Sequence, residues 1–78
     1  MDDGSGRFLD ARGLRCPLPV LKARRVLASL PDQAEITVLA TDPAARIDFA
    51  HLCNIEGYTL VSVGVENDVL RFQIRKGL

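Results

Sequence analysis

The sequence predicts an α/β (α+β) two-layer sandwich in the order βαβαββ, a four-stranded mixed sheet with two helices on one face. Three observations carry this reading. Two segments repeat their apolar residues at helical spacing, while the others alternate or run β-branched. The last segment alternates Leu70, Phe72 and Ile74 with Arg71, Gln73 and Arg75, the mark of a sheet with one face buried and one wet. At 78 residues the chain holds one core, so two amphipathic helices must share the buried face.

Residues 1–6 are polar and contain Gly and Ser, which predicts a loose tail ahead of a single domain over residues 7–78. A short strand over residues 7–10 ends at the turn-prone Arg12-Gly13. The first helix starts after Cys16, with Pro17 at the first helical position and Pro19 still inside the first turn, where proline is tolerated. Val20, Ala23, Leu27 and Leu30 form its inward stripe, Lys22, Arg25 and Ser29 face away, and Pro31-Asp32 stops it. A second strand spans residues 35–41, with Ile36, Val38 and Ala40 on one face. Asp42 followed by Pro43 reads as an N-cap and first helical residue. Ala45, Phe49, Leu52, Cys53 and Ile55 then share the inward face, and Gly57 closes the second helix. Strands over residues 58–66 and 69–76 are joined by a tight turn at Asn67-Asp68. Val61, Val63 and Val65 fall on alternate positions of the wet face.

Composition excludes several classes of function. Ten basic residues balance ten acidic ones, which argues against a dedicated nucleic-acid binder. No apolar run approaches the roughly 18 residues of a membrane helix, and Met1-Asp2-Asp3-Gly4 does not read as a signal peptide. Two cysteines without an export signal point to a reducing, cytoplasmic setting with both thiols free. So small a domain seldom encloses a deep pocket, and its chemistry is expected at the surface.

The strongest chemical signal is Arg15-Cys16-Pro17-Leu18-Pro19. With Pro17 as first helical residue, Cys16 becomes the N-cap, beside unpaired N–H groups and the positive end of the helix dipole. Both favour a thiolate. The prolines remove two first-turn donors, which leaves the Leu18 N–H as the donor expected to face the sulfur, and they stiffen the mount. Between Ala11 and Pro31 stand five basic residues, Arg12, Arg15, Lys22, Arg24 and Arg25, and no acid. A thiolate or persulfide anion is therefore expected in a positive setting that also steers an acidic partner. The competing reading is a packed cysteine that happens to open a helix, since free cysteine is commonly buried. Serine, threonine, asparagine and aspartate are the usual caps, which favours reactivity at Cys16.

Leu18 lies on the outer helix face with Lys22 and Arg25 and is a candidate docking contact. Cys53 sits on the apolar flank of the second helix and reads as core, where burial makes a thiol inert. His51 reads as a solvated residue. Cys16, His51 and Cys53 lack the close-paired spacing of a structural zinc site, so no metal is expected. Neither a C-x-x-C pair nor a Gly-rich phosphate loop is present, and no cofactor is expected.

The run Leu9-Asp10-Ala11-Arg12-Gly13-Leu14-Arg15-Cys16-Pro17-Leu18-Pro19-Val20 resembles the signature of the TusA/SirA family of small sulfur-carrier proteins. The likeness continues through Thr41-Asp42-Pro43-Ala44-Ala45-Arg46-Ile47-Asp48 and returns at Ile74-Arg75-Lys76-Gly77. It implies the same βαβαββ sandwich and a cysteine that accepts sulfane sulfur as a persulfide and hands it on. The implied donor is a cysteine desulfurase or a rhodanese. The implied acceptor is a further protein in a sulfur relay such as tRNA 2-thiouridylation, molybdenum-cofactor assembly, sulfur oxidation or selenium metabolism. By this resemblance Cys16 is the persulfide site, supported by Arg15, Pro17, Pro19, Asp42 and Asp48. Arg46, Arg75 and Lys76 fall at basic positions and join Leu18, Lys22 and Arg25 as docking candidates. Phe49-Ala50 replaces an apolar residue followed by proline, and Leu18 stands where the tRNA-thiolation branch carries an acid.

The expected function is thus that of a sulfurtransferase working between proteins, without direct nucleic-acid or membrane contact and monomeric in isolation. The alternative is a non-catalytic docking or regulatory module that uses the same helix mouth, with Cys16 incidental. A redox switch pairing Cys16 with Cys53 is a third reading.

Overall fold

The chain runs β1 (Arg7–Ala11), α1 (Leu18–Ala28), β2 (Glu35–Ala40), α2 (Ala45–Glu56), β3 (Thr59–Glu66) and β4 (Val69–Arg75). This is the predicted order, seen in a computed structural model that describes residues 7–77; the proposed tail at residues 1–6 lies outside them. The sheet order is β1-β2-β4-β3. The crossover through α1 makes β1 parallel to β2, while β4 runs antiparallel to both its neighbours.

Register explains where the core lies. Ile36, Val38 and Ala40 stand opposite Ile74, Phe72 and Leu70, so the apolar sets of β2 and β4 share one face. α1 lays Pro19, Ala23 and Leu27 on that face, and α2 lays Ala45, Phe49, Leu52 and Cys53 on it. The Phe49 and Phe72 rings meet at 4.5 Å between centroids, tilted by 34°, and tie α2 to the central strand. Asn67 and Asp68 both take positive φ, 51° and 65°, as a two-residue hairpin turn of the right twist requires.

Three expectations about facing are corrected. Pro19 takes the first inward position of α1, and Val20 is only half-buried. Ile55 is exposed, because at 3.6 residues per turn it lies roughly 100° from the centre of the stripe formed by Ala45, Phe49, Leu52 and Cys53. In β3 the register slips between Leu60 and Ser62. That bulge brings Val63 opposite Phe72 and Val65 opposite Leu70, on the helix side rather than the wet side.

The open face is polar at its centre. Gln73 donates to Glu35 Oε1 at 2.8 Å and accepts from Thr37 Oγ1 at 2.7 Å, and Arg75 Nε lies 4.0 Å from Glu35 Oε2. Lys76 Nζ donates to the carbonyls of Leu30 at 2.7 Å and Ala28 at 3.2 Å, groups that the end of α1 leaves without helical partners. Lys76→Met is therefore expected to lower stability by about 1 kcal/mol, a fall in Tm of roughly 4–8 °C for so small a domain. Thermal unfolding followed by circular dichroism reads this directly.

Candidate functional site

The β1–α1 loop, residues 12–17, is built outward from the sheet. Arg12 grips Asp10 with Nε and Nη2, both at 2.8 Å, and holds its carboxyl at about 2. Gly13 takes φ +81°, a turn that glycine makes without steric cost, and its N–H donates to Thr41 Oγ1 at 2.9 Å. Leu14 packs back against the core, and Arg15 and Cys16 are left at the surface. The Cys16 N–H then donates to Asp42 Oδ2 at 2.7 Å. Asp42 Oδ1 accepts from the Ala44 N–H at 3.0 Å on the approach to α2. One carboxylate thus fastens two loops together, and these two N–H donors hold Asp42 below the usual carboxylate range, with Arg15 adding its charge.

Two readings of the helix mouth are corrected. The N-cap of α1 is Pro17, with Pro19 in the first turn, so Cys16 precedes the cap. The Cys16–Pro17 peptide is cis, and the Leu18 N–H donates to the Arg15 carbonyl at 2.8 Å. That donor closes the turn and does not serve the sulfur. Asp42 likewise precedes the α2 cap, which is Ala44, and acts through its carboxylate.

The electrostatic expectation is also overturned. The Cys16 thiol is pushed up, not down: the hydrogen-bonding interaction with the Asp48 carboxylate comes first, then partial burial, then the charges of Asp48 and Asp42. The local sequence is basic, but the fold brings two acids to the sulfur from the β2–α2 loop and the first turn of α2. These neighbours favour the protonated thiol over the thiolate.

The structure therefore gathers Cys16, Pro17, Asp42 and Asp48, with Arg15 alongside. Thr41, which sequence reasoning gave no role of its own, joins them as the acceptor that fixes Gly13; its place directly before Asp42 in the second motif was the available signal. Leu18 is exposed at the mouth and Arg46 on the first turn of α2. Lys22 and Arg25 line a separate cleft beside β1 with Leu9 and Val26. Arg75 and Lys76 are not part of the site, since Lys76 binds the far end of α1. A groove of about 220 Å³ runs between α1 and α2 from Pro17 and Asp48, past Leu21 and His51, to Ile55. The Arg24–Glu56 ion pair, 3.1 Å, spans the two helices along it.

The two thiols differ sharply. Cys16 is exposed and Cys53 is buried, and burial pushes the Cys53 thiol up as well. Iodoacetamide is expected to label Cys16 alone in the native protein, with Cys53 reacting only in denaturant; mass mapping of the two peptides checks this. Among the described residues no group of His, Cys, Asp or Glu is arranged to hold a metal ion, and no helix is long and apolar enough to cross a membrane.

Fold and site together define a small α+β domain that presents one exposed cysteine on a braced loop at a helix mouth. Comparison with known proteins gives that class a family. The model of the family described as Sulfurtransferase TusA matches residues 7–76. A protein of Neisseria meningitidis serogroup A, named as a candidate sulfur carrier, is 37% identical over 67 residues, covering 86% of this chain and 90% of its own. Another so named, from Bacillus subtilis strain 168, is 34% identical over 73 residues, covering 94% of this chain and 97% of its own. The crystal structure of a SirA-like protein from Desulfitobacterium hafniense superposes with a TM-score of 0.80 at 29% identity, covering 91% of this chain and 97% of that one. The chain belongs to the TusA sulfurtransferase family.

Proposed function

We propose that this protein carries sulfane sulfur as a persulfide on Cys16, accepting it from a donor protein and passing it to an acceptor protein. The observation that carries the reading is the exposed Cys16 of a TusA-family chain, held in place by the Asp42 bond to its own N–H. In the loading step the Cys16 sulfur attacks the terminal sulfur of a donor cysteine persulfide. A new S–S bond forms on Cys16, the donor S–S bond breaks, and the donor cysteine leaves as a thiolate that takes up the proton Cys16 gave. Unloading is the same exchange with an acceptor thiol. A cysteine desulfurase or a rhodanese fits the donor role, in the cytoplasm, with tRNA thiolation or another sulfur-trafficking route downstream.

Surface features support transfer between proteins rather than on a small molecule. Leu21 of α1 and Ile55 of α2 are large, apolar and exposed where they line the groove, and Leu18 and Ile47 are exposed elsewhere on the same two helices. An exposed apolar lining of this kind suits contact with another protein surface. The test is cyanolysis of the protein recovered after incubation with a cysteine desulfurase and cysteine. About one thiocyanate per chain is expected from the wild type and none from Cys16→Ser; equal yields from both would overturn the reading.

A further inference from the structure

Asp48 comes from the first turn of α2, 32 positions beyond Cys16 in the chain (48 − 16), yet it borders the same groove mouth as Pro17. It is half-buried there, and it is the carboxylate set against the Cys16 sulfur, whereas Asp42 is occupied with two backbone N–H groups. The charged or titratable groups at this mouth are Arg15 from the β1–α1 loop, Asp42 from the β2–α2 loop, and Asp48 and His51 from α2. Asp42 is thus committed to the backbone, and Asp48 is the acid whose side chain meets the thiol.

We propose that Asp48 is a positioning residue for the sulfur exchange: its carboxylate anchors the Cys16 proton while the carrier is empty and repels the negative charge of the loaded persulfide. The inference rests on the carrier reading for its purpose, but its physical content is a property of the thiol itself. An empty carrier with a protonated thiol is a poor target for stray oxidants and electrophiles, because the thiolate is the nucleophile. After loading, the terminal sulfur is more acidic than the thiol was. An anion there meets the Asp48 carboxylate, and like charges disfavour each other. The same residue therefore quiets the empty state and favours discharge of the full one.

The test is the rate of Cys16 alkylation by iodoacetamide as a function of pH, which needs no sulfur donor and so stands apart from any failure of the carrier reading. Asp48→Asn, close to isosteric, is expected to move the rise in rate to lower pH and to quicken alkylation at pH 7 by about tenfold, the gain in thiolate outweighing its lower nucleophilicity. Asp48→Ser, a second neutral side chain, is expected to shift the profile in the same direction. Asp48→Glu, which keeps the charge, is expected to return it toward the wild type. Profiles that superimpose for wild type and both neutral variants would overturn the proposal, as would a shift in Asp48→Glu equal to that in Asp48→Asn.

Discussion

Phe72→Ala is expected to leave the domain largely unfolded at physiological temperature. Phe72 is fully buried at the centre of β4, opposite Val38 on one side and Val63 on the other, with the Phe49 ring at 4.5 Å. Removing a buried phenylalanine costs about 3–5 kcal/mol, from lost transfer energy and the cavity left behind. A single core in a chain of this size rarely supplies more than about 3–5 kcal/mol. The substitution therefore removes most or all of the stability, and the far-UV circular dichroism and urea midpoint should show it. Phe8→Ala is the contrast. Phe8 is 65% exposed on β1, and its loss should change stability by no more than about 0.5 kcal/mol. If Phe72→Ala unfolds with a midpoint near that of Phe8→Ala, the two-layer core does not centre where the register puts it.

Cys16→Ser is expected to do the reverse, leaving the fold intact and abolishing sulfur loading. The Cys16 side chain is exposed and takes no part in the core, while the bond to Asp42 comes from its backbone N–H. Serine keeps that N–H, so stability should hold within about 0.5 kcal/mol. A hydroxyl cannot form a disulfide or a persulfide, and loading should fall below detection rather than by some factor. Cys53→Ser does not substitute for this control, because Cys53 is part of the core and its change perturbs packing.

Most of the scaffold was legible because its signals are local. Alternation in Leu70, Phe72 and Ile74, the hairpin at Asn67-Asp68 and the stop at Gly57 each follow from a few neighbouring residues, and the structure places all three as read. The errors fall where distant segments meet. The β-bulge after Leu60 carries no strong mark in a run of valines, yet it turns Val63 and Val65 to the other face. Lys76 read as a docking candidate because nothing nearby in sequence shows that the end of α1 lies beside it.

The site shows the same division. Cys16 stood out at once as a thiol in a proline-stiffened turn, and Asp42 and Asp48 came forward through the family likeness. Their effect on the sulfur did not. A window of sequence from Ala11 to Pro31 contains only basic charges, and summing them gives the wrong sign for the environment of the thiol. The acids that decide it arrive from the β2–α2 loop and the first turn of α2, which are pinned to the β1–α1 loop by the bonds of Gly13 to Thr41 and Cys16 to Asp42. Charge at a site is a property of the fold, and the linear count was a poor guide to it.

The most direct test of the carrier reading is intact-protein mass spectrometry after incubation with a cysteine desulfurase and cysteine, followed by peptide mapping. A gain of one sulfur atom is expected, located on the peptide that holds Cys16 and removed by dithiothreitol. No gain with several desulfurases and rhodaneses, or a gain located on Cys53, would contradict it.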